Sequence, residues 1–397
     1  MRLIVAGVTL AAGATTLPAA AASRHTVHSA ASARSATDGF YVTRYGRVSR
    51  VLDGGQVQDR RGGEHVVTLS ADLKHFVYLT KWRGQRHWTR HRIPGVPKEE
   101  PYAVNWSPTL STDGKRVIFY ANTYRYTSAS ITARRLPRPK YIVTNKECRG
   151  VIWLLPHDRI TTYVDNGLGR RVCTGVLGGA LTPTATPPDP GNATEPITER
   201  AAMRDASTGR LYMIGDQAGF NQQGSFDADS WWSWTSDDDG RTWDGPTAIP
   251  GMPQPTFSTT GRLKSRVQLA SAAAGDGQVW VVFSAYDNRR GHRHDFDPPQ
   301  LLHMSKQGTW QPLVPLAHTT GHDDNVQLAV NRATGALHAV YVHNPVVAGT
   351  DGGVLMHEYL SHGTWSTPRR LAAHVDRFLS MSIGRRGHPV ASYFVTS

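Results

Sequence analysis

One phrase returns seven times along the chain: an apolar stretch, a turn holding Gly or Asp, and a second apolar stretch with strand-like alternation. The copies run over Leu69–Tyr78, Leu110–Phe119, Ile152–Tyr163, Ala201–Met213, Leu269–Phe283, Leu328–Tyr341 and Met381–Tyr393. A hairpin this short cannot bury its own apolar faces, so the copies must pack on one another. Recurrence every roughly 40 to 70 residues, with several short strands per copy, is the mark of a β-propeller. The repeat runs to the end of the chain and leaves no room for a second large domain, so a single all-β domain over residues 39–397 is expected.

Within each blade the phrase supplies the two inner strands and the segment after it the outer two. The last copy, Met381–Tyr393, is followed by too few residues for outer strands of its own. Phe40–Arg44 and Arg47–Leu52 are the unassigned strand-like segments that would complete it. Closing the ring with these N-terminal strands removes an exposed sheet edge. Seven blades are expected, ahead of six or eight.

Met1-Arg2, the apolar Leu3–Leu17 and the small residues Ala19–Ala22 read as a secretory signal peptide over 1–22, with a flexible leader over 23–38. The mature protein is therefore expected outside the cell. No later apolar run reaches the roughly 18 residues that a membrane-spanning helix needs. The net charge of +13 points to anionic partners in that compartment: uronate or sialate sugars, or a cell-wall polymer. No basic helix or nucleic-acid module directs the charge toward nucleic acid, and a monomer is expected. Two cysteines in an exported chain, Cys148 and Cys173, are expected to pair. Strand register argues the other way, since it puts Cys173 two strands outward from Cys148 and beyond the Cα separation of about 7 Å that a disulfide tolerates.

The segment Ser236-Asp237-Asp238-Asp239-Gly240-Arg241-Thr242-Trp243 fits S-x-D-x-G-x-T-W throughout. At that spacing Asp238 accepts N–H bonds across the turn, Gly240 supplies the left-handed position and Trp243 folds back under the hairpin. Weaker copies end at Gly308-Thr309-Trp310 and Gly363-Thr364-Trp365. These residues resemble the Asp-box, or BNR-repeat, propellers, whose best-known members are sialidases. Trp106–Phe119 in the N-terminal half is similar to the TolB-type propeller repeat. In the Asp-box family the box is structural and lies away from the catalytic face.

With the short turns on one face, the long connections gather on the other, where propeller function resides. The residues opening the inner strands there are Glu64, Asn105, Arg149, Glu199, Arg266, His322 and Arg377. Arg149, Arg266 and Arg377 are candidates for holding a substrate carboxylate, each through a bidentate fork. The sialidase likeness implies three such arginines, but other parts of that pattern are missing. His91-Arg92-Ile93-Pro94 imitates an early family element yet follows an outer strand, where an ordinary turn is expected. Glu199 precedes its strand somewhat as the family glutamate does, while Gly215-Asp216 stand where an arginine should follow.

A second constellation joins Gly321-His322-Asp323-Asp324-Asn325 to Leu337–Asn344. Pairing about Gly335 would set His322 beside His343, with Tyr341 one pleat inward on the same side. This resembles the paired-histidine stretch of BNR-type propeller polysaccharide lyases. The resemblance implies a base that removes the proton α to a uronate carboxylate, an acid for the leaving oxygen and a cation on the carboxylate. His322 or His343, Tyr341 and Arg266 are the candidates. His338 and His343 also read as ordinary polar strand residues. The loop Gly291–Asp297, with its His-x-His-Asp-x-Asp run, is a weak candidate for calcium or zinc, and no cofactor is otherwise indicated.

The residues together describe a secreted propeller that binds, and in its enzymatic form cleaves, an anionic glycan as a polysaccharide lyase or sialidase-like glycosidase. The alternative is a non-catalytic extracellular propeller holding a cell-wall polymer or a protein.

Overall fold

The computed structural model describes the chain from Gly55 to Val395, apart from interruptions of which the chief are 95–108, 142–147, 191–196, 221–225, 258–262, 288–297 and 344–352. In part of the strands it describes only the backbone. The signal-peptide and leader segments and the closing strands Phe40–Arg44 and Arg47–Leu52 lie outside the described residues, and with them the expected closure of the ring.

Each of the seven repeated phrases forms an antiparallel hairpin. Among the described residues the strands make six sheets, most of them four-stranded meanders in which neighbours in sequence are neighbours in space. That arrangement is the blade of a propeller. The first sheet departs from the expected blade: Gly55–Gln58 precedes the repeated hairpin Glu64–Leu69 and Phe76–Lys81, and only Thr89–Arg92 follows it.

The chain divides into two compact units. In the unit containing residues 1–122, 126–139 and 371–397, the first sheet packs Phe76 against Phe119 of the next hairpin, ring centroids 5.7 Å apart. Phe76–Leu79 are buried without alternation, because a central blade strand is covered on both faces. The outer strand Thr89–Arg92 instead alternates half-buried and exposed residues.

The unit containing residues 140–370 holds four successive blade sheets. Two of its inner turns are built alike, although only scattered residues match between them. Asp205 and Asn331 open the turns, Gly209 and Gly335 donate to their carbonyls at 2.7 Å, and Thr208 and Thr334 hydroxyls accept the N–H two residues on. Both glycines have φ above 70°, where a Cβ would be strained. The Asp205 carboxylate is fully buried and reaches the next blade, accepting from Gly277 N–H.

The outer hairpin at Ser236–Trp243 carries out its local chemistry in full. Asp238 accepts from the Arg241 and Thr242 amides, the Thr242 hydroxyl and the Ser236 hydroxyl, and Ser236 Oγ accepts from Gly240 N–H. Trp243 is buried among Leu155, Tyr163 and Val172 of the preceding blade. The weaker copies behave similarly: Trp310 Nε1 donates to Ser233 of the preceding blade, and Trp365 packs on a core that includes Trp280 and Leu301. The box tryptophans therefore join one blade to the one before it.

Cys148 and Cys173 form a disulfide with Cα atoms 5.7 Å apart. The register that argued against it places Cys173 opposite Thr162, and Thr162 opposite Ile152. Cys148 does not extend that line. It lies in a short helical turn, and its carbonyl accepts from the Thr162 hydroxyl, which brings it over the middle strand and beside Cys173.

Candidate active site

The strands Asp323–Val330, Leu337–His343 and Gly353–Ser361 lie side by side in one sheet. Alternation sends Leu337, Ala339, Tyr341 and His343 to one face. Register adds Glu358 opposite Ala339, and Asp323 opposite His343, to that face. The turn pairs Val330 with Leu337, and after a bulge between Asp324 and Gln327 the partner of His343 is Asp323. The expected pairing of His322 with His343 is thereby corrected by one residue, and the neighbour of the histidine is a carboxylate. His322 itself lies outside the described residues.

His343 Nδ1 is 2.8 Å from Asp323 Oδ1. Asp323 is 1% exposed, and its other oxygen accepts from the Thr320 amide and hydroxyl. A carboxylate held in this way makes Nδ1 the protonated nitrogen. Nε2 is left as the acceptor, and among the described residues it has no protein partner. The His343 side chain is 38% exposed, so its free nitrogen is within reach of a ligand. Asp323, His343 and their tautomer form a positioned base.

The same turn that caps Asp323 contributes a second histidine. Thr319 bonds back to the Leu316 carbonyl, His318 takes φ 56°, and His318 Nδ1 comes to 2.8 Å from Glu358 Oε2. Glu358 is 0% exposed, and its Oε1 is buried without a hydrogen-bond partner among the described residues. Burial pushes the Glu358 carboxyl up to about 7, the contact with His318 works against that rise, and the Asp323 charge adds to it. Tyr341, 2% exposed, is raised well above the usual phenol range by burial and then by the Glu358 and Asp323 charges. It therefore keeps its proton throughout the working range and stands behind the surface rather than on it.

On the opposite face His338 Nδ1 lies 3.0 Å from His357 Nε2, and both rings pack on Tyr359. Burial, then His338 and Arg369, lower His357 to about 3. His357 is thus a neutral ring packed within the sheet.

Of the other candidate residues, Arg266 lies on the strand Leu263–Gly275 opposite Tyr286. The inner strands of its blade and of the His343 blade are in contact, since Leu328 N–H donates to Ser271 Oγ. Arg266 and Asp323 each precede that contact by five residues, which puts their backbones at one level. Glu199 lies at a bulge opposite Gly215, in a different sheet from His343. Arg377 pairs with Phe394 in the other compact unit. Arg149 and the loop Gly291–Asp297 lie outside the described residues. His318 and Glu358 escaped the sequence reading. Glu358 carried one usable signal, a carboxylate on a strand face otherwise apolar at Val354, Met356 and Leu360, whereas His318 lay in a loop whose path is not encoded in any periodicity.

No known protein family matches the sequence, and no curated protein matches it. Among solved structures, the chain is similar to that of polysaccharide lyase Uly1 at 9% identity and a TM-score of 0.55, with 100% of both chains covered. At that identity the likeness establishes the fold, an all-β propeller. Two further structures are more distant. One is an ulvan lyase bound to -[GlcA(1-4)Rha3S]-, with 12% identity, a TM-score of 0.38, and 83% of this chain and 76% of that chain covered. The other is the NanB sialidase of Streptococcus pneumoniae, with 13% identity and a TM-score of 0.35. That match covers 76% of this chain and 54% of the sialidase chain. Among the described residues no helix is long and apolar enough to cross a membrane.

Proposed function

We propose that the protein is a secreted propeller that binds a uronate-containing polysaccharide at the His343 end of its sheets and cleaves it by β-elimination. The observation that carries this reading is the Asp323–His343 pair, with one imidazole nitrogen fixed by a buried carboxylate and the side chain 38% exposed. His343 Nε2 takes the proton at the carbon α to the uronate carboxylate. The electron pair of that C–H bond forms the ring double bond, and the bond to the leaving glycosidic oxygen breaks. The imidazolium returns its proton to that oxygen, which resets the histidine. Charge building on the carboxylate calls for a cation, and Arg266 is assigned that role on the level of its backbone in the neighbouring blade. Tyr341 is a positioning residue that backs Asp323 and Glu358. Fold likeness to a lyase raises the standing of the reading but does not carry it.

The sialidase-like alternative would require an accessible tyrosine nucleophile paired with a carboxylate, whereas Tyr341 is buried and Glu199 lies in a different sheet from His343. The test is incubation of the purified protein with polyuronates, read by the ultraviolet absorbance of an unsaturated uronate end. New absorbance that is lost in His343→Ala is the expected result. New reducing ends without absorbance would mean hydrolysis, and binding without either would mean a non-catalytic propeller.

A further inference from the structure

In the unit formed by residues 1–122, 126–139 and 371–397, a cavity of about 570 Å³ is lined by His91, Arg92, Pro94, Arg135 and Leu136. Its walls come from the outer strand Thr89–Arg92 and from the turn that follows the strand Arg125–Ser130. Both are well anchored: Ile93 N–H donates to the Phe76 carbonyl, and Leu136 is 3% exposed. The volume falls within the range of small-ligand sites.

The lining is chemically one-sided. Arg92 and Arg135 are exposed, and among the described residues neither has a carboxylate partner. Arg134, next to the cavity, has its guanidinium 5.8 Å from the centroid of the Trp82 ring. His91 Nε2 is buried with no hydrogen-bond partner among the described residues. Burial, then the charges of Arg135 and Arg134, lower His91 below its ordinary range, so it enters the cavity as a neutral imidazole. A buried ring nitrogen without a partner among the described residues costs free energy, and two guanidiniums beside it offer charged donors to an arriving anion. Pro94 and Leu136 add an apolar floor suited to the face of a sugar ring.

We infer that this cavity is an anion-binding subsite for the sulfate ester or carboxylate of an acidic polysaccharide, held by Arg92 and Arg135 with His91 as a further polar contact. Taking the anion to be part of a polysaccharide rests on the reading under "Proposed function". Occupancy of the cavity does not depend on turnover at His343. The two guanidiniums supply the forked donors that planar or tetrahedral oxyanions accept.

The experiment measures binding of dextran sulfate, polygalacturonate, inorganic sulfate and neutral dextran by calorimetry. It compares the wild type, Arg92→Gln/Arg135→Gln and a charge-matched control, Arg241→Gln/Arg370→Gln, whose residues are exposed elsewhere. Loss of about tenfold or more in affinity for one charged polymer in the cavity variant, but not in the control, is the expected result. Whether dextran sulfate or polygalacturonate shows it distinguishes the sulfate from the carboxylate source. Equal affinities in wild type and cavity variant, or equal losses in both double variants, would overturn the inference, as would an effect confined to inorganic sulfate. Single Arg135→Gln gives the same comparison should the double variant fail to fold. Elimination activity is followed in parallel. Its absence from the wild type would defeat the lyase reading alone, while unaltered binding in the cavity variant would defeat the subsite alone.

Discussion

In the hairpin Ser236–Trp243, Asp238 is met by four donors supplied within its own turn. Burial alone would raise its carboxyl, but the bonds from Thr242, Ser236 and Arg241 hold it below the usual range. In the sheet that begins at Asp323, Glu358 is also a carboxylate on a strand, yet it has one histidine partner, one orphan oxygen and a titration moved up to about 7. The first carboxylate organises a turn. The second is held at a cost by the strands around it, on the same sheet face as a part-exposed His343. Polar groups satisfied locally stabilise a fold, whereas groups left partly satisfied beside a surface are where chemistry is available.

The sharpest way to break this contrast is His343→Ala. It should lower the elimination rate by about 10²- to 10⁴-fold with little change in melting temperature. If melting falls while the residual rate is unaltered, His343 belongs with the structural groups. Next in size is the cross-link: Cys148→Ser/Cys173→Ser should lose about 3 kcal/mol of unfolding free energy in denaturant titration, with the rate at low temperature preserved.

Glu358→Gln separates the two kinds of carboxylate by pH. The folded carboxyl titrates at about 7 against 4.5 for an ordinary glutamate, so the folded state holds a proton that the unfolded chain releases. Its unfavourable contribution is absent below about pH 4.5 and complete above about pH 7. The variant should match the wild type in acid and exceed it by about 3 kcal/mol near pH 8, read from melting curves. His357 has the opposite sign, since its lowered folded value stabilises above the ordinary histidine range and is lost on acidification, and taking variant minus wild type removes it. The smallest effect belongs to the box. Asp238→Ala should cost about 1 to 2 kcal/mol without altering the rate, because its bonds close a turn and reach no ligand. A rate loss there would draw the box into the site.

The repeated hairpins were legible because burial on both faces forces continuous apolar runs, as in Phe76–Leu79, and because turns such as Asp205–Gly209 need a glycine where φ is positive. The Ser236–Trp243 turn was legible in detail, since every bond in it closes within a few residues. His343 and Tyr341 were found by alternation. The partner of His343 was misplaced because the hairpin turns about Asn331–Ala336 in a register that pairs Val330 with Leu337 and would set Asp324 opposite His343, and a bulge between Asp324 and Gln327 then moves that pairing to Asp323, neither of which any periodicity announces. The Cys148–Cys173 distance was misjudged because Cys148 lies in a short helical turn rather than on an extended strand.

Sequence by itself determined the all-β repeat, the hairpin turns and the local bonding of the box, all of which depend on contacts between residues close along the chain. Only tertiary structure decided that Asp323 orients His343, that His318 closes over Glu358, and that Arg92 and Arg135 share a cavity with His91. Those pairings join residues from separate strands and turns, and their distances follow from packing and register rather than from spacing along the chain.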